Sequence, residues 1–284
     1  MGAIVVAAKV SHVPSVYLGE PGVYPPYEGV HENLREGLRA IRRRLAEEGA
    51  ETVVVLDTHW ITTVDHHLNA APRHQGVYTS EEQPHVLHDY EYDYPGDPEL
   101  ATAWAQMATT AGITMHAHNY RSLRLTYGTL VPLHYLNPDR RLKVLPIGMN
   151  INASPEENAR LGTILAETVR RSGRRVGLIA SGSLSHAFWP NDEVKARRWE
   201  ISSEFNRQVD LHVIDLLTQG RVAEVIDMIP VYRKACAGEC GMADTSLLFG
   251  ALGGKAYRGK ALVLGEYCGS GGNGQVVLEF PVAA

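Results

Sequence analysis

The sequence predicts an α/β protein built as a three-layer α/β/α sandwich. Short apolar runs such as "AIVVAAKV", "TVVVL" and "VGLIAS" alternate along the chain with segments of helical period. That alternation favours a sheet covered by helices on both faces. The 284 residues contain no internal repeat, low-complexity tract or break in composition, so a single domain, 1–284, is expected.

The elements follow in order. Residues 3–10 read as the first strand. Leu34, Leu38, Ile41 and Leu45 lie at helical spacing and predict a helix over about 31–48, stopped by Gly49. Within "ETVVVLDTHW", residues 52–56 read as a strand buried on both faces. Residues 61–95 are rich in His, Tyr, Pro and acids without helical period, and predict a long surface excursion. A helix runs from "GDPEL" to about Thr110, and "RLKVLPIGMN" supplies another strand. Ser154, Pro155 and Glu157 mark a capped helix start. Residues 176–181 form a strand, residues 192–219 a long helix, and "VAEVIDMI" a shorter one. "CAGECGMADTSLLFGALGG" ends in a helix, and "KALVLGEY" and "QVVLEFPV" close the fold as strands.

Composition excludes several function classes. The net charge of -5 comes without a basic block, so no nucleic-acid partner is expected. No apolar run reaches the roughly 20 residues of a membrane helix. The N-terminus lacks a signal-peptide pattern, and three cysteines are too few for a disulfide framework, so a reducing cytoplasm is the expected address.

Three predicted strands end alike. "AIVVAAKVSH" delivers His12, "TVVVLDTH" delivers His59 and "VGLIASGSLSH" delivers His186. In open α/β sheets ligands bind outside the carboxyl ends of the strands, so parallel strands would bring three imidazoles together. Two histidines and a carboxylate on one face of an octahedron leave room for substrate and oxygen, the arrangement of non-haem Fe(II) sites. Glu239, close to Gly238 and Gly241, is a candidate for that carboxylate. Asp57 is either a further ligand or a partner that orients a ligand imidazole.

The segments "KVSHVPSVYL", "VVVLDTHW", "GVYTSEEQPH", "AHNYRSLRLTYGTLVP", "LIASGSLSH", "GECGMADT" and "SGGNGQV", in this order over nearly the whole chain, resemble the class III (LigB-type) extradiol ring-cleaving dioxygenases. Within that family the homoprotocatechuate-cleaving subgroup is the most similar. The resemblance implies a LigB-like fold with a central mixed sheet, a homo-oligomer, and Fe(II)-dependent cleavage of a catechol with O2 to a ring-opened semialdehyde. The expected substrate is 3,4-dihydroxyphenylacetate. Another catechol or aminophenol, or a zinc-dependent hydrolase, remains the alternative.

Carried over residue by residue, the resemblance puts iron ligands on His12, His59 and Glu239 and the acid/base on His186. Many relatives carry Asp-His-Gly where this chain has Thr126-Tyr127-Gly128. Either the Tyr127 hydroxyl or the imidazole of His118 would then replace the missing histidine.

Other features read more plainly. "GSGGNG" precedes a strand and predicts a tight turn rather than a nucleotide site. Cys236 and Cys240 read as packed thiols. His66, His67 and His74 are expected to be exposed, and His85 and His88 are candidates for lining a pocket.

Overall fold

The computed structural model describes residues 1–282. In chain order its elements are β1 (Ala3–Val10), α1 (Pro14–Leu18), α2 (Glu32–Glu47), β2 (Thr52–Thr62), β3 (His66–Asn69), β4 (Arg73–Tyr78) and β5 (Tyr90–Pro95). Next come α3 (Pro98–Thr110), β6 (Met115–His118), α4 (Tyr127–Leu136), β7 (Lys143–Asn150), α5 (Pro155–Ser172) and β8 (Arg175–Ser181). The chain closes with α6 (Val194–Arg197), α7 (Glu204–Thr218), α8 (Val222–Ala235), α9 (Ala243–Leu252), β9 (Leu262–Ser270) and β10 (Asn273–Phe280).

Among the described residues, eight strands form one sheet in the order β6-β3-β7-β2-β8-β1-β10-β9, while β4 and β5 make a separate hairpin. β7, β2, β8 and β1 are mutually parallel. β3 pairs antiparallel with β7, and β10 antiparallel with β1 and β9, so the sheet is mixed, as expected.

Successive strand residues point to opposite faces. Val54 and Leu56 of β2 join Ala7, Leu178 and Ile147 in a core shared with α3, α5 and α9. Val53 and Val55 join Val6 and Ile179 against Leu34, Leu38, Ile41 and Leu45 of α2 on the other side. Coverage of both faces explains why residues 53–56 of β2 are apolar at successive rather than alternate positions.

The helix starts and stops follow local chemistry. Ser154 caps α5 by accepting from the backbone N–H of Glu157 at 3.1 Å, and Gly173 ends it in the left-handed region at φ 74°. The Glu157 carboxylate does not close the expected box. It meets His66 Nε2 at 2.9 Å instead.

Two expectations are corrected. Residues 61–95 are not a structureless excursion, because β2 runs on to Thr62 and three further strands follow before Pro95. The helix expected over 192–219 is two helices, broken where Ile201 bridges to Gly272 and Ser203 caps α7. The predicted turn in "GSGGNG" is present, with Gly271 and Gly272 at φ 64° and 107°. Among the described residues no helix is long and apolar enough to cross a membrane.

Candidate metal centre

β8 lies between β2 and β1, and all three run parallel, so their carboxyl ends open onto one crevice. His12 follows β1 by two residues and His186 follows β8 by five, while His59 sits inside the last third of β2. There the pairing of β2 with β7 slips between Asp57 and Ile61. Such a bulge re-aims side chains at the end of a strand.

Asp57 fixes this bulge. Its Oδ1 accepts from the backbone N–H groups of His59 at 2.9 Å and Trp60 at 3.0 Å. Its Oδ2 accepts the hydroxyls of Thr126 and Thr129, each at 2.6 Å, tying the bulge to the start of α4. The carboxylate thus orients His59 through the backbone, not through the imidazole. A Cβ on Gly128 would lie 2.0 Å from Asp57 Oδ1, so only glycine fits beside it.

His12 is buried, with Nδ1 3.0 Å from Ser181 Oγ. The Ser181 hydroxyl donates to Gly128 O at 2.5 Å, so Oγ accepts from His12 Nδ1–H. The other ring nitrogen, Nε2, faces Glu239 Oε1 at 3.2 Å. Glu239 is buried as well, accepting the Thr58 hydroxyl at 2.6 Å on Oε1 and the Ser183 backbone N–H on Oε2. A left-handed turn presents it, with Cys240, Gly241 and Met242 at φ 44°, 63° and 61°. Non-glycine residues in that region cost about 1–3 kcal/mol each, and such strain concentrates at functional sites.

Charge in this pocket is strongly coupled. Burial alone would raise the Glu239 carboxyl, but the imidazoles of His12 and His186 and the Thr58 hydroxyl hold it well below the usual carboxylate range. Burial would lower His12, yet the facing Glu239 carboxylate, helped by Asp57, pushes it above its ordinary value. Burial lowers His186 despite the pull of Glu239. Its Nε2 stands 3.9 Å from Glu239 Oε2, and the side chain is 30% exposed, so it borders the open side.

His59 stands one ring further out, its centroid 6.3 Å from that of His12. Its Nε2 is 3.3 Å from Glu82 Oε1, and its Nδ1 is buried without a hydrogen-bond partner. Tyr127 packs on it with centroids 3.7 Å apart and donates its hydroxyl to Glu82 Oε2 at 2.8 Å. Burial, then the Glu82 carboxylate, push the Tyr127 phenol far up, so it remains a donor. His59 and Tyr127 in turn lower the carboxyl of Glu82.

A metal suits this donor set. A nitrogen lone pair and a carboxylate oxygen 3.2 Å apart, both out of water, require a positive charge between them. A proton supplies it in the metal-free chain, and a divalent cation would supply it better. The orphaned nitrogen of His59 is a further donor without an acceptor of its lone pair or proton. Among the described residues, no three His, Cys, Asp or Glu side chains are already drawn together into a metal-binding group. His12 and Glu239 touch, His186 adjoins them, and His59 is the outlying member.

The remaining candidates fall elsewhere. His118 ends β6 at the sheet edge, three strands from β2, where it meets His67 rather than His12 or Glu239. His66 and His74 are buried, against expectation, bonded to Glu157 and to Val144 O. His85 and His88 are exposed. Cys236 and Cys240 are free thiols, as read. Four polar contributors escaped the sequence reading, namely Thr58, Ser181, Ser183 and Glu82. The first three sit in the strand-end segments already singled out, and Glu82 lies in "GVYTSEEQPH", a segment quoted for the resemblance but without periodic signal.

The family model described as the catalytic LigB subunit of aromatic ring-opening dioxygenase matches residues 6–280. The chain belongs to this family. It is therefore an oxidoreductase, an extradiol dioxygenase of LigB type, as the ordered motifs implied. The 3,4-dihydroxyphenylacetate 2,3-dioxygenase of Escherichia coli is 38% identical over 262 residues, 92% of this chain and 94% of that protein. The 2-aminophenol 1,6-dioxygenase beta subunit of a Pseudomonas species is 28% identical over 252 residues, 84% of this chain and 82% of the subunit. The crystal structure of an uncharacterized protein from Escherichia coli K12 shares the fold, with a TM-score of 0.67 at 16% identity over 98% of this chain and 100% of that one. Membership in the LigB family implies a metal cofactor.

Proposed function

We propose that this LigB-family enzyme uses Fe(II) and O2 to open the ring of 3,4-dihydroxyphenylacetate to a semialdehyde. The carrying observation is the buried contact of His12 Nε2 with Glu239 at the ends of parallel strands, beside two partly exposed imidazoles. The substrate follows from the printed activity of the Escherichia coli relative and its 38% identity. One catalytic domain, residues 1–284, acts in a reducing cytoplasm as a homo-oligomer on this reading.

His12, His59 and Glu239 are the proposed iron ligands, two nitrogens and one oxygen that leave positions open for substrate and oxygen. Bound there, ferrous iron would acidify the catechol hydroxyls and carry electrons between the ring and O2. His186 is the acid/base. Burial keeps its imidazole below the ordinary value and so neutral near pH 7, ready to take the substrate's hydroxyl proton and return it to the departing oxygen. Tyr127 stays a phenol and offers its O–H to a substrate oxygen in place of Glu82. His118, on the edge strand of the sheet, is hydrogen-bonded to His67, and the role is assigned to Tyr127 on this reading.

Anaerobic reconstitution with Fe(II), followed by oxygen and 3,4-dihydroxyphenylacetate, tests the reading. One O2 consumed per substrate with a yellow ring-opened product is expected. Silence on this and other catechols from a folded, iron-loaded protein would overturn it, and stoichiometric zinc without oxygen uptake would favour a hydrolase.

A further inference from the structure

Three imidazoles stand together at the far edge of the sheet, away from the candidate metal centre. β3 and β6 pair in parallel with His67 opposite His116 and Asn69 opposite His118. His116 and His118, two residues apart on one strand, share a face. The ring of His67 stacks with both, at 5.3 Å and 5.1 Å between centroids and 19° between planes in each case. Tyr120 extends the stack beyond His118 at 5.3 Å.

The hydrogen bonds fix the donor atoms. His67 Nε2–H donates to the backbone oxygen of Val64 at 2.7 Å, which leaves Nδ1 as a lone pair. An imidazole whose second N–H is tied to a backbone carbonyl is the usual posture of a metal-ligating histidine. His118 Nε2 lies 2.8 Å from that lone pair. Two nitrogens each roughly 2.0–2.1 Å from one tetrahedral zinc ion stand about 3.3 Å apart, so the pair opens by about half an ångström to admit it. Both rings line a surface cavity of about 370 Å³ together with Trp60, Thr62 and Tyr120, which gives water and ions access.

We propose that His67 Nδ1 and His118 Nε2 bind a borderline divalent cation, Zn(II) or Cu(II), at a site separate from His12 and Glu239. Imidazole donors select these ions over magnesium or calcium. His116 is engaged with Asp65 Oδ2 at 3.0 Å and supplies no third nitrogen, so water completes the coordination. The proton on His118 Nε2 moves to Nδ1 as the ion enters, and no net proton is released.

Equilibrium dialysis of the full-length protein against Zn(II) tests this. His118→Phe and His67→Phe, which preserve an aromatic ring in the stack, are each expected to bind one equivalent less than wild type. The loss should persist in a His12→Ala background, separating this site from the candidate metal centre. His212→Ala, an exposed histidine on α7, should lose nothing. Thermal melts establish that the variants fold, and His67→Gln replaces any that do not. Equal stoichiometry and affinity in wild type and the folded His67 and His118 variants would overturn the proposal, as would an equal loss from His212→Ala.

Discussion

His12 Nε2 lies 3.2 Å from Glu239 Oε1, while His12 Nδ1 is committed to Ser181 Oγ at 3.0 Å. The two elements that meet here are far apart in the chain and are brought together by different means. A strand end aims the imidazole, and a strained left-handed turn aims the carboxylate. With Thr58 and Ser183 already donating to Glu239, the remaining lone pairs face His12 and the crevice.

Glu239→Gln should therefore abolish tight metal binding without unfolding the chain. The amide keeps the shape of the side chain but not its charge, and it brings an N–H into a pocket already supplied with donors. A fall of at least about 100-fold in metal affinity is expected, since even partners behind the ligands contribute 10–100-fold. Chelator competition on the purified variant measures it, and undiminished affinity would remove Glu239 from the ligand set.

His186→Phe separates binding from proton transfer. The ring is 30% exposed, and Phe188 packs edge-on against it at 4.7 Å between centroids, so phenylalanine fits. Iron content should stay at the wild-type level while kcat falls by about 10²–10⁴, the usual worth of a positioned acid/base. Lost iron with unchanged turnover per iron would assign His186 to coordination instead.

How far the sequence was legible depends on what covers each segment. β1, β8 and the first half of β2 are largely buried on both faces, so they announce themselves as mostly apolar runs, and the histidines that follow could be named at once. β3, β4 and β5 are short and lie in polar sequence, so residues 61–95 read as loop. Tyr78, Tyr92 and Tyr94 bury their rings in the second core and stabilise a hairpin that composition hides. The break before α7 depends on a bridge from Ile201 to Gly272, a tertiary contact with no local signature. The site divides the same way. The candidate imidazoles were visible as residue types at strand ends and Glu239 by its flanking glycines, whereas Ser181 and Thr58 matter only through partners distant in the chain. Glu82 became visible only when its loop was seen against Tyr127 and His59.

Asp57→Ala tests the bulge that carries His59. The substitution strands two backbone N–H groups and two threonine hydroxyls, each now bonded to a buried carboxylate. At about 1–3 kcal/mol per abandoned buried group, with partial relaxation, a loss of about 3 kcal/mol or more is expected. Urea unfolding measures it. A loss below about 1 kcal/mol would mean that water reaches these groups and that the bulge does not depend on Asp57.

The last prediction concerns acid stability and a histidine remote from the metal ligands. His31 occupies the N-cap position of α2 in the left-handed region at φ 60°, is 9% exposed, and has a buried Nε2 with no hydrogen-bond partner. Burial, with the Arg35 guanidinium alongside, pushes its imidazole down from 6.5 to about 4. The neutral ring is what the fold accommodates, and the unfolded chain takes up the proton first as pH falls. The stability contributed by His31 is whole above pH 6.5 and is lost as pH falls toward the folded value near 4. A gap of this size corresponds to about 3 kcal/mol, of which about 2–3 kcal/mol is gone by roughly pH 4.5. His31→Asn keeps a residue that tolerates positive φ and removes the titration. Urea unfolding of both proteins at about pH 7.5 and 4.5 should show the advantage of wild type over the variant shrinking by that amount on acidification. An advantage that stays constant would place the acid sensitivity of the fold in groups other than His31.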